Sequence, residues 1–345
     1  MTSSVTTRAT EIVLPGPVEP GGLRVRVRDL PAPGPGQVVL RMEATGVSFA
    51  EQQMRLGKYY DQPPFPFVPG YDVVGTVVAT GAGVPTTLVG KRFAAVTKVG
   101  GWASHLHVEA GDLVPVPHGL DPAAAETVLV NGITAWQMLH RSASVETGGT
   151  VVVLGANGGV GSILVQLARH AGINVIGTAS ARHHDAVRAL GALPVDYRDP
   201  DMYEQIRKLA PDGVDAVFDH VGGTGLAQSW RLLRKGGSLV NYGSASTKDE
   251  KGNATLPLLM LFARLYAWNY LPNGKSASFY NFWAGRRSLD KFRARLSEDL
   301  TQLLRLVAAG SVTPQIAARI PLEQTAEALA LAESRTVLGK VVITG

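Results

Sequence analysis

The sequence predicts an α/β protein in which a doubly wound parallel sheet is inserted into a β-rich domain. The N-terminal part consists of short β-prone runs broken by Gly and Pro, and after Asp121 strands alternate with helices. The C-terminal part returns to β character, and its last strand, in GKVVITG, can pair back into the first domain. We therefore predict a β-rich domain formed by residues 1–126 and 312–345, interrupted by an α/β domain at residues 127–311.

Turn signals separate the β-prone runs of the N-terminal part, for example PAPGPG at 31–36 and TGAGVP at 80–85. These runs include Leu23–Val27, Val38–Ala44, Val73–Thr80, Arg92–Ala95 and Leu106–Val108. At the first run Arg24, Arg26 and Arg28 alternate with apolar residues, which indicates the solvated face of a strand rather than a phosphate-binding arm. The pattern predicts a compact barrel-like unit.

The middle part follows the spacing of βαβ units, which form parallel sheets. A helical, Ala-rich stretch runs from Pro122 to Leu139 and precedes the alternation. The predicted strands are Val151–Gly155, Val175–Thr178, Pro194–Tyr197, Ala216–Asp219 and Ser238–Gly243. The helices between them are predicted at Gly159–Ala171, Arg182–Leu190 and Met202–Leu209, with a fourth that ends at Arg234. Residues 248–285 are irregular by pattern, and Arg287–Ala309 is helical.

Composition excludes several classes of protein. The net charge of +5 includes no run of like charge, so we expect no nucleic-acid partner. The chain contains no Cys, which excludes disulfides, a thiolate nucleophile and a Cys-based metal site. The start, MTSSVTTRATEI, lacks the pattern of a secretory signal, and the longest apolar run, Leu256–Tyr270, is interrupted by Pro257, Arg264 and Asn269. We therefore expect a cytoplasmic protein without a membrane span.

The strongest motif is TVVVLGANGGVGSILVQLA at residues 150–168. An apolar strand ends at Gly155 and a helix opens near Gly159, with alanine in place of the first glycine of the G-x-G-x-x-G fingerprint. Gly158 lets the backbone approach a pyrophosphate, and Gly161 lets the helix pack closely on the sheet. The helix N-terminus offers free N–H groups to phosphates. This context predicts a Rossmann-type dinucleotide site, with a simple glycine turn as the alternative.

The strand NVIGT at 174–178 indicates which dinucleotide binds. A site for NAD usually places Asp or Glu about 20 residues past the glycines to hold the ribose diol. Here TASARHH follows, with no acid before Asp185. Ser180 can donate to a 2′-phosphate and Arg182 can pair with it, so we predict NADPH. The alternative is that Arg182 and His183 only begin a solvated helix.

The order of these parts resembles the medium-chain dehydrogenase/reductase superfamily, whose members carry a Rossmann domain inside a GroES-like catalytic domain. The zinc-free branch is matched by R-x-G-x-Y at 55–59, PGYD at 69–72, NGITAWQML at 131–139, DAVFDHVGG at 215–223 and LLRKGGSLVNYG at 232–243. GTASARHH, LVNGITAW and GGWASHLHV look like the quinone oxidoreductase-like homologues of the synaptic-vesicle membrane protein. The branch also includes enone, enal and enoyl-thioester reductases.

Zinc-dependent members of this superfamily bind the catalytic metal with a Cys, a His and a later Cys or acid. By motif alignment those positions here hold Ser48, Tyr71 and Val130, none of which is a competent zinc ligand. His105 and His107 share one face of a predicted strand, without an apparent third ligand. We therefore predict that the protein functions without zinc.

Without a metal, hydrogen-bond donors must polarise the carbonyl of the substrate. The resemblance therefore implies hydride transfer from NADPH to a quinone or an α,β-unsaturated carbonyl compound. Tyr59, whose counterparts in the family lie near the nicotinamide, is the candidate proton donor; the alternative is that it packs a Pro-rich loop. Ser48 is a candidate for positioning the substrate, although quinone oxidoreductases usually carry Asn at that position.

The resemblance also implies which residues contact the cofactor. Asn131 and Thr134 are expected to line the nicotinamide pocket, and Gly243 and Ser244 to lie in the crevice past the fifth strand. Lys340 is expected to contact the cofactor, with an exposed lysine as the equal alternative. The full predicted set is Asn131, Thr134, Gly158, Gly159, Val160, Thr178, Ser180, Arg182, His183, Tyr197, Gly243, Ser244, Phe279 and Lys340.

Three functional hypotheses remain open. The first is an NADPH-dependent reductase of quinones or small enones. The second is a biosynthetic enoyl-thioester or tailoring reductase, and the third is a dinucleotide-binding protein with little catalysis.

The resemblance further implies a homodimer, in which a strand within Ser276–Phe282 pairs across the two-fold axis.

Overall fold

The computed structural model describes residues 7–243, 255–334 and 336–345. The chain divides into two compact units, Met1–Ile133 with Gly285–Gly345, and Thr134–Ala284. The second unit ends at Ala284, whereas the α/β domain predicted from the sequence extends to residue 311.

The described residues form fifteen β-strands and ten α-helices. The strands are β1 (Thr7–Val13), β2 (Arg24–Leu30), β3 (Gln37–Val47), β4 (Asp72–Thr80), β5 (Arg92–Val96), β6 (His105–Glu109), β7 (Val114–Pro115), β8 (Thr150–Val153), β9 (Asn174–Ala179), β10 (Leu193–Asp196), β11 (Val214–Asp219), β12 (Leu233–Asn241), β13 (Ser276–Phe279), β14 (Ile316–Pro321) and β15 (Lys340–Thr344). The helices are α1 (Phe49–Arg55), α2 (Pro122–Thr127), α3 (Val130–Gln137), α4 (Gly159–His170), α5 (His184–Leu190), α6 (Met202–Leu209), α7 (Leu226–Leu232), α8 (Thr255–Trp268), α9 (Leu289–Ala308) and α10 (Thr325–Glu333).

Helix α9 belongs to the β-rich unit. Its Arg293 binds Asp112, with 2.7 Å between Nε and Oδ1. Its Leu303 lies so close to Gly132 that a Cβ on that glycine would stand 3.3 Å from Leu303 Cδ1. The sequence pattern shows that this segment is helical but not which unit it packs against.

The β-rich unit is built around a seven-stranded sheet in the order β14-β15-β3-β4-β5-β7, with β6 also paired to β3. The neighbours are antiparallel except β14 and β15, which run parallel. The terminal strand β15 pairs with β3 from Val341, opposite Val47, to Thr344, opposite Ala44. This confirms that the end of the chain returns to the first domain. Strands β1 and β2 form a separate two-stranded sheet.

The α/β unit contains a six-stranded sheet in the order β10-β9-β8-β11-β12-β13, with every neighbouring pair parallel. Counted within this unit, the order is 3-2-1-4-5-6, which is the Rossmann arrangement. Buried apolar residues of β8, β9 and β11, such as Val152, Ile176 and Val217, form its core with apolar residues from the covering helices. The strand order reverses between β8 and β11, and ligands of such sheets bind in the crevice at the carboxyl ends there.

The interpretation of 248–285 as irregular is wrong for the described part of that segment. Helix α8 and strand β13 both lie within it, and β13 pairs with β12 from Ser276, opposite Ser238, to Phe279, opposite Asn241. Helix α8 carries apolar residues around much of its circumference, so it lacks the periodic polar face that identifies a surface helix. None of the helices in the described residues is both long and apolar enough to cross a bilayer.

Candidate functional site

The glycine turn between β8 and α4 is packed too tightly for larger residues. Gly155 has φ +68°, and a Cβ on Gly161 would stand 2.2 Å from Gly155 O, so Gly161 allows the close approach of helix and strand. Gly158 is the N-cap of α4, whose first residues are Gly159 and Val160. The first N–H groups of a helix have no partner within it, so they are available to a phosphate. The turn therefore fits a dinucleotide pyrophosphate.

Thr178 connects strand β9 to this turn. Its hydroxyl oxygen accepts the N–H of Gly155 at 3.0 Å, and its carbonyl oxygen accepts the N–H of Ala156 at 2.9 Å. The Thr178 side chain is buried. Thr178 thus fixes the conformation of the turn, while a direct contact with the cofactor stays a prediction.

Polar side chains follow the two neighbouring strands β9 and β10 where each strand ends. Ser180 is buried, and its carbonyl oxygen accepts the N–H of His183 at 2.8 Å. Arg182 is exposed, and its Nε donates to His183 Nε2 at 3.2 Å. Burial and the charge of Arg182 lower the pKa of His183. Tyr197 follows β10 and donates its N–H to Ala179 O at 3.3 Å.

Ser180, Arg182 and Tyr197 thus place a hydroxyl, a guanidinium and a phenol just past the ends of β9 and β10. Asp185, the first acid after β9, lies in the exposed first turn of α5, where its carboxylate binds Arg188. The segment from Ser180 to Asp185 therefore supplies one cationic group, the Arg182 guanidinium, before the acidic one. This arrangement fits an anionic substituent on the ribose.

Asp219, at the end of β11, has a structural role that is absent from the predicted site. Its Oδ1 accepts the N–H groups of Val221 and Gly222, each at 2.8 Å, and its Oδ2 accepts the Ser229 hydroxyl at 2.8 Å. The side chain is 1% exposed. The motif DAVFDHVGG was the available signal, since a buried acid before a Gly-rich turn commonly binds backbone N–H groups.

Three further predicted cofactor residues of the α/β unit lie at the ends of β12 and β13 and in α3. A Cβ on Gly243 would stand 2.8 Å from His220 O, so this position permits close approach of the backbone. The ring of Phe279 packs against Phe262, with 5.2 Å between centroids. The Thr134 side chain is 8% exposed. Ser244 lies outside the described residues.

In the β-rich unit, Ser48 caps helix α1. Its hydroxyl oxygen accepts the N–H of Ala50 at 3.1 Å, and its N–H donates to Glu51 Oε2 at 2.9 Å. The Ser48 hydroxyl also donates to Glu51 Oε2. The other oxygen of this carboxyl, Oε1, accepts the N–H of Tyr71 at 2.7 Å. Glu51 thus links Ser48 to Tyr71, and the role of Ser48 in positioning the substrate stays a prediction.

Glu51 is almost fully buried, with 1% of its surface exposed. Burial, and then the nearby charge of Asp72, raise the pKa of its carboxyl. The three hydrogen bonds that this carboxyl accepts offset part of the cost of burying it.

The hydroxyls of Tyr59 and Tyr71 form a hydrogen bond of 2.8 Å. Their rings pack edge to face, with 6.3 Å between centroids. Tyr71 is 4% exposed, whereas Tyr59 is half-buried and its ring also contacts the exposed Tyr60. Burial, followed by the neighbouring Tyr71, raises the pKa of Tyr59, so its hydroxyl stays protonated. Tyr59 is therefore a packing residue whose hydroxyl keeps its proton, and its role as the proton donor stays a prediction.

Lys340 lies in a buried ion cluster, so the alternative of an exposed lysine is wrong. Its ammonium is 3.0 Å from Asp72 Oδ2 and also binds Glu126 Oε1, and all three side chains are at most 1% exposed. Burial alone lowers the pKa of Lys340, but the two carboxylates raise it above its usual value overall. A Cβ on Gly46 would stand 2.2 Å from Lys340 Cε, so glycine leaves room for the cluster. Contact of Lys340 with a cofactor stays a prediction.

The remaining predicted cofactor residue of the β-rich unit, Asn131, is in α3. It is buried, with 8% of its surface exposed. Its predicted contact with the nicotinamide stays a prediction.

The zinc-ligand positions of the superfamily do not fit a zinc ion in this chain. Ser48 and Tyr71 hydrogen-bond Glu51 and Tyr59 respectively, and Val130 offers no donor atom. Elsewhere, His107 Nε2 hydrogen-bonds Pro31 O at 2.9 Å, and His105 Nδ1 hydrogen-bonds the Ser104 hydroxyl at 3.2 Å. Within the described ranges no group of three or more His, Cys, Asp or Glu is arranged to hold a metal.

Comparisons with known proteins agree with this architecture. Residues 34–118 match the alcohol dehydrogenase GroES-like domain family, and residues 190–343 match the zinc-binding dehydrogenase family. The chain is 34% identical to the synaptic vesicle membrane protein VAT-1 homolog of Rattus norvegicus, over 91% of this chain and 78% of that protein. It is 28% identical to a probable quinone oxidoreductase of Schizosaccharomyces pombe, over 93% of this chain and 92% of that protein.

A solved structure extends the likeness to the whole chain. A mycobacterial protein whose structure is complexed with NADPH superposes with a TM-score of 0.83 and 29% sequence identity. The alignment covers 98% of this chain and all of that one. Since the likeness to the VAT-1 homolog exceeds 30% identity over nine-tenths of the sequence, the chain belongs to the medium-chain dehydrogenase/reductase superfamily of oxidoreductases, in its quinone oxidoreductase-like branch.

Proposed function

We propose that this protein is an NADPH-dependent reductase that adds hydride to a quinone or an α,β-unsaturated carbonyl compound without zinc. The observation that carries the proposal is the donor set at the zinc-ligand positions. Ser48 and Tyr71 supply hydroxyls already held by hydrogen bonds, and Val130 supplies none. Oxidation of a plain alcohol requires loss of its proton, which a Lewis acid normally promotes near neutral pH.

The preference for NADPH is supported by the residues that follow β9. The exposed guanidinium of Arg182 and the hydroxyl of Ser180 precede the first acid, and Tyr197 follows the neighbouring strand. Such groups suit a 2′-phosphate, whereas a ribose diol is usually held by a carboxylate. The relative solved with NADPH supports the same choice. When bound, NADPH supplies the hydride.

The chain's own residues then provide binding and a proton. The glycine turn and the N-terminus of α4 hold the pyrophosphate. Reduction of a conjugated acceptor places negative charge on an oxygen that conjugation already stabilises, so a few hydrogen-bond donors suffice. Tyr59 provides the proton that completes the reaction, and water can replace it at a lower rate.

The test is an NADPH-oxidation assay with a panel of quinones, enones, enals and enoyl thioesters, run beside simple alcohols with NADP⁺. We expect turnover of quinones or enones and no efficient alcohol oxidation. Turnover should survive a strong chelator, and elemental analysis should find no stoichiometric zinc, because the ligand positions lack thiolate and imidazole. Efficient alcohol turnover with inert quinones and enones contradicts the proposal, and a preference for enoyl thioesters indicates a biosynthetic reductase.

A further inference from the structure

Tyr71 lies where zinc-dependent relatives carry a histidine ligand, and the structure holds its backbone firmly. The N–H of Tyr71 binds Glu51 Oε1 at 2.7 Å, and its carbonyl oxygen accepts the N–H groups of Thr97 and Lys98 at 2.9 and 3.0 Å. The preceding Gly70 has φ +106°, and a Cβ there would stand 2.4 Å from Trp102 N. The Tyr71 side chain therefore projects from a fixed position.

Tyr59 is held against it by the turn that follows α1. Gly57 adopts φ +67° and donates its N–H to Met54 O at 3.0 Å, and Lys58 donates to Gln53 O at 2.9 Å. The two phenol oxygens are then 2.8 Å apart, with the rings edge to face. One of the two hydroxyls is buried and the other half-buried, so the hydrogen bond connects a protected group to an accessible one.

We propose that Tyr71 is a positioning residue for proton donation, which hydrogen-bonds Tyr59 so that the Tyr59 hydroxyl faces the substrate and its phenolate is stabilised after the proton leaves. This inference rests on the proposed reductase function. Only one of the two hydroxyls donates in this hydrogen bond, so when Tyr71 is the donor, the O–H of Tyr59 can donate to another acceptor.

The proton balance of the step is simple. Hydride addition supplies two electrons and one hydrogen to the acceptor and leaves an enolate. The O–H bond of Tyr59 then breaks, a C–H or O–H bond forms on the enolate, and the electron pair stays on Tyr59 Oη. Tyr71 keeps its own proton and donates a hydrogen bond to this phenolate. A proton taken up from the medium later restores the Tyr59 hydroxyl, so the reaction consumes one proton overall.

The environment of Tyr59 explains why its phenolate needs a hydrogen bond from Tyr71. Burial raises the pKa of Tyr59, because a phenolate is poorly stabilised away from water, and Tyr71 raises it further while the Tyr59 hydroxyl is the donor of their hydrogen bond. Once Tyr59 loses its proton, only Tyr71 can donate, and the bond then runs towards the phenolate. A hydrogen bond to a charged acceptor is stronger than one between neutral groups, so the bond from Tyr71 strengthens as the phenolate forms. Tyr71 therefore assists the transition state more than the ground state, which is the condition for an effect on kcat.

The experiment compares wild type, Tyr59→Phe, Tyr71→Phe and the double variant in NADPH oxidation with an enone that the wild type reduces. We expect Tyr71→Phe to lower kcat by about ten- to a hundredfold while both KM values stay within about twofold. In the Tyr59→Phe background, adding Tyr71→Phe should lower kcat by less than about twofold, because no phenolate forms at position 59 for Tyr71 to stabilise.

The solvent deuterium isotope effect on kcat separates this role from a purely structural one. It should increase in Tyr71→Phe, because proton transfer then limits the rate more strongly. Tyr203→Phe is the matched control, since it removes a half-buried phenol that donates to Gly225 O at 3.2 Å in the α/β unit, and its kcat should equal that of the wild type. Tyr71→Met serves as a second variant where Tyr71→Phe does not fold.

Three results overturn the inference, and a fourth overturns the proposed function on which it rests. If Tyr71→Phe leaves kcat unchanged, or lowers it by the same factor with and without Tyr59, then Tyr71 does not act through Tyr59. An unchanged solvent isotope effect leads to the same conclusion. If the wild type reduces no acceptor in the panel, the proposed function itself fails and the inference with it. This result is distinguishable from the other three, in which the wild type is active.

Discussion

At the residue scale, Arg182 carries the proposed preference for NADPH. The Arg182→Ala variant should raise the KM for NADPH by about tenfold, because a charge-assisted contact with the 2′-phosphate is lost. The KM for NADH should stay nearly unchanged, since NADH has no such phosphate. Initial rates with each cofactor at saturating acceptor provide the measurement.

A second exposed arginine provides the control for this prediction. Arg188 lies on α5, where it binds the carboxylate of Asp185, so Arg188→Ala removes the same charge from the same helical region. It should leave both KM values near those of the wild type. Equal wild-type affinities for NADPH and NADH would refute the assignment, as would equal losses in the two variants.

Single residues also show what sequence can reveal about the site. The role of Gly161 in close helix–strand packing was predicted, because a tight strand–turn–helix connection leaves few residue types possible. The approach of a pyrophosphate to Gly158 stays a prediction. The buried ion cluster of Lys340 was not predicted. Its partners Asp72 and Glu126 are distant from Lys340 in sequence and become its neighbours only when β15 pairs with β3. The cap formed by Ser48 fits the local signal of a capping box, with Glu51 three residues later.

At the scale of elements, the contact between β8 and α4 depends on Gly161. In Gly161→Ala the new Cβ would meet Gly155 O at 2.2 Å, and a backbone atom cannot move aside as a flexible side chain does. We expect the free energy of unfolding to fall by about 1–3 kcal/mol. Binding of NADPH should weaken as well, because α4 carries the phosphate-binding N–H groups.

Denaturant unfolding and NADPH titration of the full chain measure both effects. Gly21→Ala is the matched control, because a Cβ there meets nothing within 4 Å. That variant should unfold and bind NADPH like the wild type. Unchanged stability of Gly161→Ala would mean that helix and strand are not held as closely as the structure indicates.

The elements themselves were predictable where their pattern is regular. The alternation of apolar strands with amphipathic helices from β8 to β12 predicted the parallel sheet, because each helix must cover a face of it. Strand β13 has only four residues and two of them are serines, so its composition gives little indication of a strand. Helix α8 was missed because its exposed face is itself apolar, as Leu259 and Met260 show at 59% exposure each.

At the scale of the whole molecule, the parallel sheet has two edges with different surroundings. One edge is β10, and the other is β13, beside α8. Exposed apolar side chains concentrate near β13, and include Leu259, Met260, Phe262, Tyr266, Tyr270 and Leu271. A groove of about 530 Å³ runs between α8 and β13 and is lined by several of them. Among the described residues β13 pairs only with β12, and an apolar patch beside such an edge strand favours association with another chain.

We therefore predict a homodimer in which β13 and α8 of two copies meet across a two-fold axis, since such an interface buries the same patch on both partners. Light scattering at micromolar concentration should give twice the mass of the chain.

Leu259→Glu should shift the mass to that of a monomer, because it places a charge in the apolar patch. Leu193→Glu is the matched control, as Leu193 is 57% exposed on the opposite edge strand β10, and this variant should remain dimeric. A monomeric wild type refutes the dimer, whereas dissociation caused by Leu193→Glu alone would move the interface to the other edge of the sheet.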